Sequence, residues 1–352
     1  MNRSSETKRL PAEWEPQDAV QLTWPHADTD WQPLLSRVVP VYERLVQLLL
    51  EVCEVIIGAP SEQVDSLRER FRAINLDTTQ IHLYPVQSND TWARDHGPIT
   101  LETEKGLVLQ DFQFTGWGGK FSAELDNAIT GELYRQGAYG HAVYQYQKLV
   151  LEGGAIESDG RGTLLTTEQC LLNPNRNPQL DMRGMEEELQ RLLGVTRINW
   201  LKHGALQGDD TDSHIDTLAR LCPNNVIAYQ SCDDPADSHF EDLKAMANQL
   251  HKMTDCEGSR YKLVALPWPS AKYDQQGERL PATYANFLII NNMVIVPTYE
   301  DAQDNEALTR MQEAFPGYRI EGIDCLPLIH QHGSLHCITM QLPQGVLRKR
   351  ID

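Results

Sequence analysis

The stretch "LIHQHGSLHCITMQLP" (328–343) gathers His330, His332, His336 and Cys337, residue types that bind soft metals or arm a nucleophile. As a metal site it is poorly built. His330 and His332 precede the turn-forming Gly333 and Ser334. His336 and Cys337 read as neighbours on a strand, which would point to opposite faces. No CxxC or HExxH is present, and the acidic run Asp209, Asp210 and Asp212 lacks the glycine and closing glutamate of an EF-hand. The expectation is no metal. By the same alternation, His336 is expected to pack or to support its neighbours rather than to be the partner of Cys337.

A thiol nucleophile needs an acid/base and groups that hold its electrophile. His214 in "GDDTDSHID" (208–216) supplies the first. The other conspicuous polar residues are Asp95 in "NDTWARDHGP" (89–98), Glu152 in "LEGG" (151–154) and Asp216. One such Asp is usually a cap and one such Glu a solvated surface group; here they recur at equivalent points ahead of strand-like segments. All three are anionic, the wrong polarity for an oxyanion hole. Carboxylates suit a cationic electrophile, and a planar guanidinium fits best because each carboxylate takes a pair of its N–H groups. The pattern points to attack on a guanidinium carbon.

The elements that must position these residues share one rhythm. "YANFLIINNMVIVPTY" (284–299) reads as a hairpin turning at Asn291-Asn292, followed by the helix "DNEALTRMQEAF" and the strand "YRIEGID". "HIDTLARLCPNNVIAYQ" (214–230) turns at Pro223-Asn224-Asn225. A helix follows with a capping box at Ser238–Glu241 and an apolar face of Leu243, Met246, Ala247 and Leu250, and then the strand "YKLVALPW". "GAIESDGRGTLLTT" (154–167) and "GPITLETEKGLVLQDF" (97–112) begin two more such units. The fifth is split: "AVQLTWP" (19–25), a helix near 38–51 and "EVIIGAP" (54–60) lack a first strand, which "CITMQLP" (337–343) supplies from the other end of the chain. The expected fold is a five-bladed pseudo-symmetric α/β propeller of ββαβ modules, closed by strands from both termini, with 1–352 as a single catalytic domain.

The 352 residues, 41% hydrophobic and 23% charged, have the balance of a soluble globular protein. The first residues lack the apolar core of a signal peptide, and no apolar run is long enough to span a bilayer. Seven scattered cysteines read as reduced thiols, so a cytoplasmic setting is expected. A formal charge of −19 repels nucleic acid and anionic membranes and favours cations.

At these residues the sequence resembles the agmatine deiminases and the bacterial peptidylarginine-deiminase-like proteins grouped with them, in the guanidine-modifying superfamily of five-fold α/β propellers. The resemblance is carried by "PAEWEPQDAVQLTWPH" (11–26), "NDTWARDHGP", "FTGWGGK" (114–120), "LEGG", "DDTDSHID" (209–216) and "HCITMQLP" (336–343). It implies Cys337 as nucleophile, His214 as general acid/base, Asp95 and Asp216 as guanidinium-binding carboxylates and Glu152 as a supporting acid. Trp92 and Trp117 fall in motifs near the pocket, where they either bind substrate or pack. Arg94 is expected to point away from Asp95 and form a structural ion pair.

"QHGSLHCITMQ" departs from the family's Gly-Gly-Gly-Asn-Ile-His run and its Ile-Thr-Gln-Gln at His332, Ser334 and Met340, which bears on the substrate tail. The implied activity is deimination of a small cationic guanidine without a cofactor. Agmatine is the first choice, and peptidyl-arginine or free arginine, giving citrulline, the alternative. A zinc hydrolase would instead be stopped by a chelator, and a polyamine-binding module would release no ammonia.

Overall fold

Asn224 and Asn225 both take left-handed conformations, with φ of 61° and 56°, which closes the tight three-residue hairpin loop 223–225. The turn joins Ala219–Cys222 to its antiparallel partner Val226–Gln230. Helix Phe240–Leu250 then returns the chain to Lys262–Leu266, parallel to the second strand. In this computed structural model, which describes residues 7–347, that order recurs. Ile99–Thr103, Gly106–Gln113 and Val143–Val150 repeat it around helix Asp126–Arg135. Ile156–Ser158, Thr163–Thr167 and Arg197–Leu201 repeat it around helix Met182–Leu193. Leu288–Ile290, Met293–Thr298 and Arg319–Asp324 repeat it around helix Asp304–Ala314.

The remaining large sheet joins the two ends of the chain. Met340–Pro343 runs antiparallel to Gln17–Thr23, and Glu54–Ala59 follows in parallel after helix Leu35–Leu49. The expected pairing of the terminal segments is therefore present. Two additions were not foreseen: helix Val64–Ala73 and strand Ile81–Pro85 extend this sheet, and Lys8–Arg9 edges Ile99–Thr103. The fold is mixed α/β, and among the described residues no helix is long and apolar enough to cross a membrane.

Each crossover helix buries one face. In Met182–Leu193 that face is Met185, Leu189, Leu192 and Leu193, each contributing about 1.5–3 kcal/mol. Asp181 caps this helix by accepting from the Gly184 N–H at 2.8 Å, and Gly194 ends it at φ 73°. The expected capping box at Ser238 does not form. Helix Phe240–Leu250 has no side-chain cap. Asp237, fixed by Arg279 and the Trp268 indole, takes the His239 N–H instead. The helix N-cap is His239, one residue past Ser238, so Ser238 lies outside the capping position.

Candidate active site

The segments leading into the first strand of four of the five repeated sheets carry the polar residues singled out above. Asp95 lies in the turn Ala93–His96 before Ile99, Glu152 before Ile156, His214 and Asp216 before Ala219, and Cys337 before Met340. All five are buried. Cys337 was expected on a strand, but the strand begins three residues later, at Met340, so Cys337 sits in the preceding turn. Strand alternation therefore does not govern His336 and Cys337, and both reach Asp216. His336 Nδ1 lies 2.7 Å from Asp216 Oδ2, and Cys337 Sγ lies 3.8 Å from the same oxygen.

Gly154 shows how closely the groups converge. A Cβ added there would stand 2.7 Å from His214 Nδ1, 2.8 Å from Asp95 Oδ1 and 3.1 Å from Asp216 Oδ2. Gly153 passes as tightly behind them, its Cβ position 2.2 Å from the Arg94 carbonyl oxygen. Only glycine lets the backbone approach this closely. The Gly154 N–H donates to Asp95 Oδ1 at 3.1 Å, and the Trp117 indole N–H donates to Oδ2 at 2.9 Å. Trp117 is held at φ 55° between Gly116 and Gly118, also left-handed. A bulky residue in that conformation is strained, and the strain aims the indole at the carboxylate.

The charges follow from burial and neighbours. Burial pushes Asp95 up to about 6, against the pull of His214. Burial alone would lower His214, but Asp95, Cys170 and Glu152 outweigh it and raise its pKa. The His214 ring has no hydrogen-bond partner among the described residues, and its Nδ1 is 3.6 Å from Asp95 Oδ1. Asp216, despite burial, is held below the usual carboxylate range, chiefly by its bond to His336, and its Oδ1 is left without a partner among the described residues. Burial raises the Cys337 thiol, and Asp216 and Asp95 raise it further. Glu152 accepts both bonds of the buried Arg176 Nε, at 3.0 and 3.1 Å, and so props the site from behind.

Several neighbours were not anticipated. Asn286 Oδ1 accepts the N–H groups of His336 at 2.9 Å and Cys337 at 3.3 Å and faces the Cys337 sulfur at 3.3 Å. Asn286 lies just ahead of strand Leu288–Ile290, the position that carries the other site residues, and that equivalence was the available signal. Glu13 joins Arg94, Arg220, His336 and Gln341. Arg94 does turn away from Asp95, to Glu13 at 2.9 Å.

His330 and His332 do not join Cys337 in a metal-binding group. His332 Nδ1 bonds the Gly208 carbonyl at 2.8 Å, and burial lowers the pKa of half-buried His330. Two other groups bring donor atoms within 4.8 Å of one another: Glu152, Cys170 and His214, and Glu13, Glu157 and His336. In each the carboxylates are already paired with a buried arginine, Arg176 or Arg220, which opposes a further cation.

A cleft of about 110 Å³ opens in front of Cys337 and Asp95. Trp92, Trp117 and Phe121 form apolar walls, and Asp30, Asp90 and Asp210 bring three further carboxylates. Asp90 accepts from the Trp31 indole at 2.8 Å, and burial raises it to about 6. Asp210 is raised to about 6 by burial and by Asp209. Among the described residues lining the cleft there is no Lys or Arg.

The profile of Porphyromonas-type peptidyl-arginine deiminases matches residues 9–343. A Vibrio parahaemolyticus protein provisionally named an agmatine deiminase is 34% identical, over 95% of this chain and 96% of its own. A Porphyromonas gingivalis structure, provisionally named an arginine deiminase, is 46% identical at a TM-score of 0.90, covering 97% of this chain and 100% of its own. A cysteine-to-serine variant of C. jejuni agmatine deiminase with substrate bound is 36% identical at a TM-score of 0.90, covering 98% and 99%.

Proposed function

Because the chain belongs to the Porphyromonas-type peptidyl-arginine deiminase family, and is thus a hydrolase acting on the C–N bonds of guanidino groups, we propose that it deiminates agmatine through a covalent Cys337 intermediate. The observation that carries the chemistry is the convergence of Asp95, Asp216 and His214 within about 3 Å of one point at Gly154, with the Cys337 sulfur 3.8 Å from Asp216. Asp95 and Asp216 take the guanidinium N–H groups, Asp216 through the oxygen that His336 leaves free. In the empty site both carboxylates oppose a thiolate. A bound guanidinium offsets them, so the thiol ionises only when there is something to attack.

The thiolate adds to the guanidinium carbon, and protonated His214 gives its proton to the departing ammonia, leaving a thiouronium on sulfur. His214, now neutral, takes a proton from water as its oxygen adds to that carbon. The C–S bond breaks, the thiolate returns, the added hydroxyl loses its remaining proton to solvent, and a ureido product leaves. Trp92 and Trp117 wall the substrate chain, and the charge of Glu152 helps to keep His214 protonated.

Agmatine is favoured over free arginine by the cleft itself. Its far end meets Asp30, Asp90 and Asp210 and no Lys or Arg for a carboxylate among the described residues lining the cleft. The product would be N-carbamoylputrescine, a precursor of putrescine. The repeated strand order and the paired ends support the five-bladed propeller, in which the site lies at the common axis. The family name and the exposed Phe121 at the cleft favour the second reading, peptidyl-arginine.

Ammonia release from agmatine, arginine and an arginine-containing peptide decides between the substrates. With agmatine as substrate and Cys337→Ala as control, loss of turnover in the variant and a mass increase on Cys337 in the quenched wild-type enzyme are expected. Full activity of Cys337→Ala would end the covalent mechanism.

A further inference from the structure

His332 stands where the related glycine run has its second glycine. Its φ is 66°, a left-handed conformation that is unfavourable for a residue with a bulky side chain. The turn that carries it presses on the cleft: a Cβ at the next residue, Gly333, would stand 2.3 Å from the Trp92 ring. His332, Gly333, Asp210 and Cys337 line the same cleft, and His332 is near enough to Asp210 for their charges to interact. One bond orients the ring. Nδ1 lies 2.8 Å from the Gly208 carbonyl oxygen, which only accepts, so Nδ1 carries the hydrogen and the neutral ring keeps a lone pair on Nε2. Among the described residues that second nitrogen has no partner, and it is not one of the unpaired atoms sealed from the surface.

We propose that His332 is a specificity-determining residue whose Nε2 accepts a hydrogen bond from a donor at the far end of the substrate, a primary ammonium first and a hydroxyl second. The assignment rests on the reading that Asp95 and Asp216 hold the guanidinium beside Cys337, so that the rest of the substrate runs along the cleft. Asp30, Asp90 and Asp210 draw a cation to that end, but Coulomb attraction falls off slowly with distance and has little directionality. A lone pair on a ring fixed by its other nitrogen is directional. His332 therefore adds to the attraction for charge a requirement for an N–H or O–H. Its only hydrogen bond among the described residues goes to Gly208 and none to Asp95, Asp216, His214 or Cys337, so its influence falls on the tail and not on the reacting groups.

Steady-state ammonia release from three guanidines tests this: agmatine, with a cationic donor at its tail; 4-hydroxybutylguanidine, with a neutral donor; and butylguanidine, with none. His332→Gly removes the ring and suits the left-handed position, whereas His332→Phe keeps a ring and removes its nitrogens. In both variants, each checked by thermal melting, KM for agmatine and 4-hydroxybutylguanidine should rise about fivefold. KM and kcat for butylguanidine should stay within about twofold of the wild type. Should the phenylalanine variant fail to fold, the glycine variant decides. An equal change for all three guanidines would overturn the proposal, because the ring would then only tether its turn to Gly208. So would a rise for agmatine alone, which charge explains, or no rise at all. Failure of the underlying reading shows separately, in the wild type: if it turns over neither agmatine nor butylguanidine, that reading falls and this inference with it.

Discussion

Trp117→Phe isolates one hydrogen bond at the heart of the site. The indole N–H reaches Asp95 Oδ2 at 2.9 Å, while the ring packs edge-on against Phe114 and Phe121, contacts that phenylalanine largely keeps. A hydrogen bond to a charged group is worth about 1.5–3 kcal/mol, which corresponds to about 1–2 pKa units. Asp95 already titrates at about 6 because of burial, so without the donor it should titrate at about 7–8. In the proposed mechanism only ionised Asp95 holds the guanidinium, so the acid limb of kcat/KM for ammonia release should move up by the same amount. The variant's deficit at pH 6 should then exceed its deficit at pH 9 by about five- to fiftyfold. Stability obeys the same sign. The substitution should cost most above pH 8, where Asp95 is ionised in both folded proteins, and that part should vanish below about pH 5, where it is protonated in both folded proteins. A rate loss by the same factor at every pH would refute the reasoning, because Trp117 would then not be tuning Asp95.

Gly154→Ala places a methyl carbon 2.7 Å from His214 Nδ1 and 2.8 Å from Asp95 Oδ1; kcat/KM should fall about a hundredfold or more while circular dichroism shows a folded chain. Asn286→Ala frees the backbone of His336 and Cys337 from their shared acceptor. It should lower kcat about tenfold or more with little change in KM, read by steady-state kinetics. Asp90→Asn should raise KM for agmatine about fivefold or more and leave butylguanidine, which has no cationic tail, unaffected. In the wild type the preference for agmatine over butylguanidine should grow as pH rises through about 6, where Asp90 and Asp210 ionise.

What the sequence disclosed depended on whether a residue looked out of place. Cys337, His214, Asp95, Asp216 and Glu152 recur ahead of strands, and an acidic cluster near a nucleophile has no bland explanation, so their grouping was legible. Asn286 occupies the same kind of position, but an asparagine before a strand looks like an ordinary turn residue. Glu13, in "PAEWEP", looks like a surface acid, and its burial against Arg220 and His336 depends on chain separations of 207 and 323 residues that no local pattern encodes. Helix Val64–Ala73 escaped notice because a charged surface helix with only Leu67 and Phe71 buried carries a weak periodic signal.

The left-handed Trp117 was hidden for a different reason. A bulky residue adopts that conformation only where surrounding structure imposes it, so its role belongs to the folded state and not to its neighbours in sequence. The sequence therefore reveals residue types capable of chemistry, and the fold supplies the neighbours that set their charge. His336, Trp117 and Asn286 belong to the second kind: each touches Asp216, Asp95 or Cys337. Substitutions there should move pH profiles and kcat in ways that a search for reactive residue types alone would not anticipate.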